Sequence, residues 1–370
     1  DPFFIPTRIA REGRAPVAPS NFPFFVSYGY HFDAHLMGAF LRDKATEAGI
    51  EHHDARIADV ELNEAGAVKA LLAEDGRRFE ADLFVDASGF RAVIIEGALG
   101  EAHRPFAENL FNDRAVVAPT CVPAEGFQAC TRSIAKSAGW IWQIPLTNRI
   151  GNGYVYSSRY IDPDDAANEL REHLGLSDDA EVRHLQMKCG RIERSWAKNC
   201  LAVGLAQGFL EPLEATALHI VIATVESFLD AWATDQRDQF NAAIARRYEG
   251  IRDYLVCHYR TALKRDTDYW RDAAKVDALS DSLKGVITCW FTGADLEQEI
   301  MRQDIARYYA PMSWQCMLAG YGNFPEDKLL RPPGDDIAPV DMNDVERFVS
   351  GCAMNFPTHA GALRRLSEAA

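Results

Sequence analysis

Residues 139–158, "GWIWQIPLTNRIGNGYVYSS", place Trp140 and Trp142 two positions apart, follow them with Pro145, and then repeat aromatics at alternate positions. Residues two apart on a strand share a face. The pattern therefore predicts a strand with two indoles side by side, ended by Pro145. Two tryptophans filling a large interior would satisfy it as physical chemistry.

Around that strand the chain alternates strands and helices. Residues 1 to about 30 are proline-rich and irregular. Asp33 is placed to cap a helix carrying Leu36, Phe40, Leu41, Ala45 and Ala48 on one face, with Gly49 as its stop. Residues 55–62 read as a strand. Residues 67–89 read as a hairpin turning at Asp75-Gly76, then a buried strand at 83–85 covered on both faces, ended by Asp86-Ala87-Ser88-Gly89. Residues 115–160 are strand-rich, and 172–182 read as helix running into a turn. Residues 200–209 read as a second buried strand entering a glycine turn. From 214 to 232, Leu218, Ile222, Val225, Leu229 and Trp232 recur at three and four and predict a helix with one apolar face. Residues 236–370 are helical by pattern.

The 370 residues carry a net charge of −15, which argues against a general nucleic-acid binder. No apolar run reaches the roughly eighteen residues that a bilayer span needs, so no membrane association is expected. Eight scattered cysteines without a Cys-x-x-Cys pair predict buried thiols in a reducing cytoplasm. The histidines show no ligand spacing, and no metal site is expected.

The stretch "GLAQGFLEPLEATALH" (204–219) gathers most of the candidate chemistry. Gly204 and Gly208 let backbone come close to a planar or anionic ligand. The helix that starts near Glu214–Ala217 offers unpaired N–H groups to a small anion. Glu214 reads equally as a first-turn carboxylate of that helix.

Four motifs in order resemble the flavin-dependent halogenases of the tryptophan-halogenase family: "YHFDAHL" (30–36), "DLFVDASGFR" (82–91), "WIWQIP" (140–145) and "GFLEPLEAT" (208–216). The resemblance runs to about residue 325. It implies an α/β (α+β) fold, with a glutathione-reductase-like FAD-binding sheet region in residues 1–232 and a mostly helical substrate region in 233–370. It implies that reduced FAD and O2 oxidise chloride or bromide to hypohalous acid, which passes through a tunnel to a lysine beside an electron-rich aromatic. The family's Gly-x-Gly-x-x-Gly unit and that lysine are expected ahead of Asp1. Lys44, Lys69, Lys136, Lys188 and Lys198 are expected to be surface residues.

By the same resemblance Glu214 is the active-site glutamate, and Trp140 and Trp142 keep flavin apart from substrate. Ser88, Gly89, Gly204, Gly208, Phe209 and Leu210 fall in the FAD region. Thr216 and Ala217 take the backbone positions that hold halide; Ala217 replaces the family's glycine and Ala215 its serine. Tyr308, Tyr309 and Trp314 are expected to form an aromatic slot for an indole, with Asp304 near it. The implied partners are a separate flavin reductase and a second copy of the chain. An aromatic flavin monooxygenase and a catalytically inert flavoprotein-like fragment are the alternatives.

Overall fold

The computed structural model describes residues 3–123, 126–127, 129–324 and 341–369. After a short helix α1 (Ile5–Arg11), helix α2 (Ala34–Glu47) begins where its cap predicts. Asp33 accepts from the backbone N–H groups of His35 at 2.9 Å and Leu36 at 3.4 Å. The apolar face of α2 points outward, with Leu36, Phe40 and Leu41 each more than half exposed.

Strands β1 (Ile57–Leu62), β2 (Val68–Ala73) and β3 (Arg78–Phe79) form an antiparallel meander that turns at Asp75-Gly76. Strand β4 (Phe84–Asp86) leaves this meander and joins another sheet. Only one of its faces is covered: Phe84 and Asp86 are buried, and Val85 is 52% exposed. The expected strand buried on both sides is therefore half-covered, because its core partners, Ile95, Cys200 and Ala202, lie on the Phe84 side alone. After β4 come a single 3-10 turn, a π-helical turn over Val93–Ala98, and β5 (His103–Pro105).

The indole-bearing strand belongs to a five-stranded antiparallel sheet. Its members are β6 (Arg114–Val117), β7 (Arg132–Ala135), β8 (Gly139–Pro145), β9 (Ile150–Tyr156) and β10 (Arg183–Gln186), in the order β10-β6-β9-β8-β7. Trp140 faces Val155 and Trp142 faces Gly153 across the β8–β9 register. Gly153 is required there, since a Cβ would lie 2.0 Å from the Trp142 ring. Helix α3 (Pro163–Leu174) covers the other face with Ala166, Ala167 and Leu170, and Gly175 ends it in the left-handed region. The helix expected around 172–182 thus lies mostly earlier, starting from Pro163, whose fixed φ suits a first turn.

Short strands β11 (Gly190–Ile192), β12 (Trp196–Ala197), β13 (Cys200–Ala202) and β14 (Gly208–Phe209) follow. Strand β13 pairs in parallel with β4, Cys200 opposite Phe84 and Ala202 opposite Asp86. The two strands that end in glycine turns therefore end side by side.

Helices α4 (Ala217–Thr234), α5 (Arg237–Thr261), α6 (Asp268–Ala273), α7 (Asp281–Thr292), α8 (Leu296–Arg302) and α9 (Pro311–Gly320) form the helical layer. Beyond it, α10 (Met342–Ala353) and α11 (His359–Ala369) complete the described residues, with Ala353 and Phe356 packed on Ile9. The largest core is continuous across residue 232, joining Trp140 and Val155 of the sheet to Phe228, Leu255, Trp270 and Trp314 of the helices.

Helix α4 reverses its expected face. Leu218, Ile222, Val225, Leu229 and Trp232 are exposed, while Ile220, Ala223, Thr224, Phe228 and Ala231 are buried. The helix is apolar on two stripes, and packing against α5 and the Trp196 ring selects the second. By length and composition alone, the 22 residues Leu213–Thr234 are apolar enough to cross a bilayer. Five cysteines, at 189, 200, 257, 289 and 352, are buried, but Cys121 and Cys316 are exposed, so burial is not general.

Candidate active site

The parallel pairing of β4 and β13 brings Ser88, Gly89 and Gly204 to one sheet end. Asp86 is buried there and used structurally: it accepts from Ser88 N and Oγ, and from the backbone N–H groups of Ile94 and Ile95, at 2.6–2.9 Å. The Ser88 hydroxyl also accepts from Val93 N at 2.8 Å, so its polar capacity is largely spent on the loop. Gly89 (φ 73°) and Gly204 (φ 60°) are both left-handed. A Cβ on Gly89 would meet nothing within 4 Å, and one on Gly204 only Val221 at 4.0 Å. Both backbones are open to a flat ligand at close range. Phe209 joins this edge through an edge-on contact with Phe90, 5.4 Å between ring centres. Gly208 is tight instead: a Cβ would lie 2.7 Å from the Gly190 carbonyl oxygen. Leu210 is buried in the main core. The residues present thus fit one wall of a flavin site, built from Gly89, Gly204 and the Phe90–Phe209 pair.

Trp140 and Trp142 share a face of β8, ring centres 6.4 Å apart and planes tilted by 60°. Trp140 is buried and Trp142 half-buried. The Trp140 indole N–H donates to Tyr259 Oη at 2.9 Å and lies 3.4 Å from Glu211 Oε2. Tyr259 also donates to Glu211, and Asn112 Nδ2 donates to Glu211 Oε2 at 2.8 Å. Tyr269 closes the network by donating to Asn112 Oδ1 at 3.0 Å. Glu211 is 1% exposed. Burial pushes its carboxyl group up, against the opposing pull of the bonds from Tyr259, Asn112 and Trp140. Sequence reasoning missed this network. Its one signal was that Glu211 and Glu214 bracket a proline.

Glu214 lies in the turn that enters α4. Glu214 (φ 67°) and Ala215 (φ 52°) are successive non-glycine residues in the left-handed region, a strained pair of the kind that gathers at functional sites. Thr216 is the N-cap and Ala217 the first residue of α4; no side chain caps this end, so its first N–H groups have no side-chain acceptor. The extra methyl of Ala217 is exposed.

Glu214 meets α5 at His258, whose Nε2 is 3.0 Å from Glu214 Oε1. The distance suits an ion pair, but the nitrogen is off the line of a well-formed hydrogen bond. The other ring nitrogen, Nδ1, is 3.0 Å from Tyr321 Oη. Tyr254, one turn before His258, stacks on Tyr309 at 3.6 Å with planes 11° apart. Trp314 is buried behind this pair, edge-on to Tyr254 at 4.8 Å. Tyr308 turns away: its ring lies over Gly250, where a Cβ would come within 2.3 Å of it, and the Arg247 guanidinium lies 5.6 Å from its ring centre. Asp304 pairs with Arg307 at the surface. Of the expected slot, then, Tyr309 lies on the Glu214 side, and Trp314 packs on its stacking partner Tyr254. Sequence reasoning missed Tyr254, His258 and Tyr321, which lie far from Glu214 along the chain.

Residues 3–332 match the sequence profile of the family described as tryptophan halogenase. The chain belongs to the tryptophan halogenase family. It is 39% identical over 314 residues to the 7-chloro-L-tryptophan 6-halogenase KtzR of Kutzneria sp. (strain 744), covering 82% of this chain and 59% of that protein. It is 37% identical over 306 residues to the tryptophan 6-halogenase SttH of Streptomyces toxytricini, covering 80% and 57%. Among solved structures it resembles BrvH, a flavin-dependent halogenase from Brevundimonas sp. BAL3, with a TM-score of 0.87 and 32% identity over 99% of this chain and 75% of that one. The chain thus spans about three-fifths of the length of these two sequence relatives. The likeness places its mixed helices and sheets among the halogenase folds.

Proposed function

We propose that this tryptophan halogenase family member takes part in the halogenation, by chloride or bromide, of an indole or another electron-rich aromatic, using reduced FAD and O2. One observation carries the reading. Adjacent residues of α5 fasten two different parts of the site: His258 meets Glu214, and Tyr259 holds the Trp140 indole. A bulky aromatic wall and a reactive carboxylate are thereby anchored to one rigid helix.

A bound reduced flavin would supply, with O2, the oxidation of halide to hypohalous acid. Gly89, Gly204 and Phe209 are read as its wall, with Ser88 shaping the loop and Gly208 and Leu210 packed behind it, and the N–H groups of Thr216 and Ala217 as the halide end. Trp140 and Trp142 keep water and flavin from the substrate, which protects hypohalous acid. Tyr309, stacked on Tyr254, offers a face for the ring, with Trp314 edge-on to Tyr254 and Tyr308 at the margin. Glu214 orients the substrate or takes the ring proton.

No lysine of this chain is assigned as the halogen carrier. Lys44, Lys69 and Lys188 pair with Glu47, Glu61 and Glu96, and Lys198 donates to the Ala65 carbonyl. The division into a flavin part (1–232) and a substrate part (233–370) is read as functional, since one core crosses it; residues 325–340 of the latter lie outside the described residues. A separate flavin reductase, a second copy of the chain and a cytoplasmic setting complete the reading.

The test is the mass spectrum of indole after incubation of the full-length protein with reduced FAD, O2 and bromide. A bromine isotope pair on the product is expected. Insertion of a single oxygen would make the protein a monooxygenase, and unchanged indole would overturn catalysis altogether.

A further inference from the structure

Glu214 can remove a ring proton only if one of its oxygens is held and the other is left for substrate. Its backbone cannot adapt freely, because Glu214 and Ala215 are both left-handed without being glycine. The Glu214 side chain is about a third exposed (36%), and the His258 side chain beside it is 14% exposed. The two nitrogens of His258 face different elements. Nε2 faces Glu214 from the α4 turn, and Nδ1 faces Tyr321, just past the end of α9.

The tautomer follows from chemistry. A lone pair on Nε2 would repel the carboxylate at 3.0 Å, so Nε2 carries a proton, and in the neutral imidazole the Tyr321 hydroxyl then donates to Nδ1. Tyr254 packs edge-on to His258 at 5.2 Å, and Tyr321 does so at 5.8 Å, fixing the ring plane. The other titratable groups here are Tyr309, Cys257 and Cys316. Burial first, then the negative charge of Glu214, pushes the Tyr321 phenol up to about 12, which keeps it a donor.

The geometry points to His258 as a positioning residue for the proposed halogenation: with Tyr321 behind it, it holds Glu214 Oε1 and leaves Oε2 to take the proton from the aromatic ring. This rests on the functional reading above. In the step, the O–X bond of hypohalous acid breaks and a C–X bond forms. The ring C–H bond then breaks, its electron pair restores aromaticity, and its proton goes to Glu214. That proton and the departing hydroxide together make water. The off-line His258–Glu214 contact is the loose arrangement that substrate binding would tighten.

The test compares His258→Ala, His258→Gln and Tyr321→Phe in the full-length protein, with bromide and either ordinary or carbon-deuterated indole. Proton loss is normally fast after halogen attack, so the unaltered protein should show an isotope effect near 1. His258→Ala should lower kcat by about tenfold or more with KM within about twofold, and should reveal a primary isotope effect of about 2 or more. His258→Gln places an amide N–H where Nε2–H was, and should recover most of kcat and abolish the isotope effect.

A readout independent of turnover is the 15N spectrum of histidine-labelled protein, in which His258 should be protonated at Nε2 and should shift on Glu214→Gln. Bromination by the unaltered protein with His258→Ala equal to it in rate and isotope effect would overturn the assignment alone. Absence of bromination would remove the functional reading, and a His258 signal indifferent to Glu214→Gln would then remove this one.

Discussion

Glu211 offers the sharpest test of how the indole wall is built. Replacing it with alanine strips the acceptor from the Tyr259 hydroxyl in a fully buried place, while Trp140 and Asn112 keep their bonds to Tyr259 Oη. One orphaned buried donor costs about 1–3 kcal/mol, so Glu211→Ala should lose about 2–4 kcal/mol with the cavity included. Glu211→Gln keeps an oxygen for the three donors and places an NH2 group, with two N–H donors, where the buried Oε1 has no partner, at about 1–3 kcal/mol.

The pH dependence separates a neutral Glu211 from an ionised one. Its folded pKa is raised. The folded protein therefore holds a proton that the unfolded chain releases above about pH 4.3. Its contribution is complete below that pH and shrinks as pH rises toward the folded value, at up to about 1.4 kcal/mol per unit. Glutamine has no such slope. Urea unfolding of both proteins at pH 5, 6 and 7 should show the advantage of the native residue over Glu211→Gln falling as pH rises. An advantage that stays flat or grows with pH would refute the neutral acid, and with it the account of how the network tolerates a carboxyl group at its centre.

Two further outcomes follow from the packing. Gly153→Ala puts a methyl 2.0 Å from the Trp142 ring, so that indole must swing away; the cost should be about 1–3 kcal/mol, and the near-ultraviolet circular dichroism of the Trp140–Trp142 pair should weaken. Asp33→Ala removes both the cap of α2 and its ion pair with Arg149, and since no side chain of α2 is buried, amide exchange should quicken across α2 with little change in the five-stranded sheet. The Arg149 guanidinium holds the Asp33 carboxyl below its ordinary value, so acid should have the same local effect as pH falls through that lowered value.

Much of this protein was legible from local chemistry. The cap at Asp33, the turn at Asp75-Gly76, the shared face of Trp140 and Trp142 and the glycine turns at 89 and 204 depend on a few neighbouring residues, and the chain adopts each of them. The order of four motifs likewise pointed to the family. What the sequence left open was every choice between two locally equal answers. Helix α4 carries two apolar stripes, and only contact with α5 and Trp196 decides which one is buried. Glu211 and Glu214 look alike three residues apart, yet one is sealed among Tyr259, Asn112 and Trp140 while the other meets His258 at the surface of the core. His258 carried no signal at all, because its function depends on two partners that only the folding of α5 against the α4 turn and the end of α9 brings within 3.0 Å. Periodicity and turn chemistry act over a few residues; the burial of a charge and the aim of an imidazole are set by whichever distant surfaces happen to close over them.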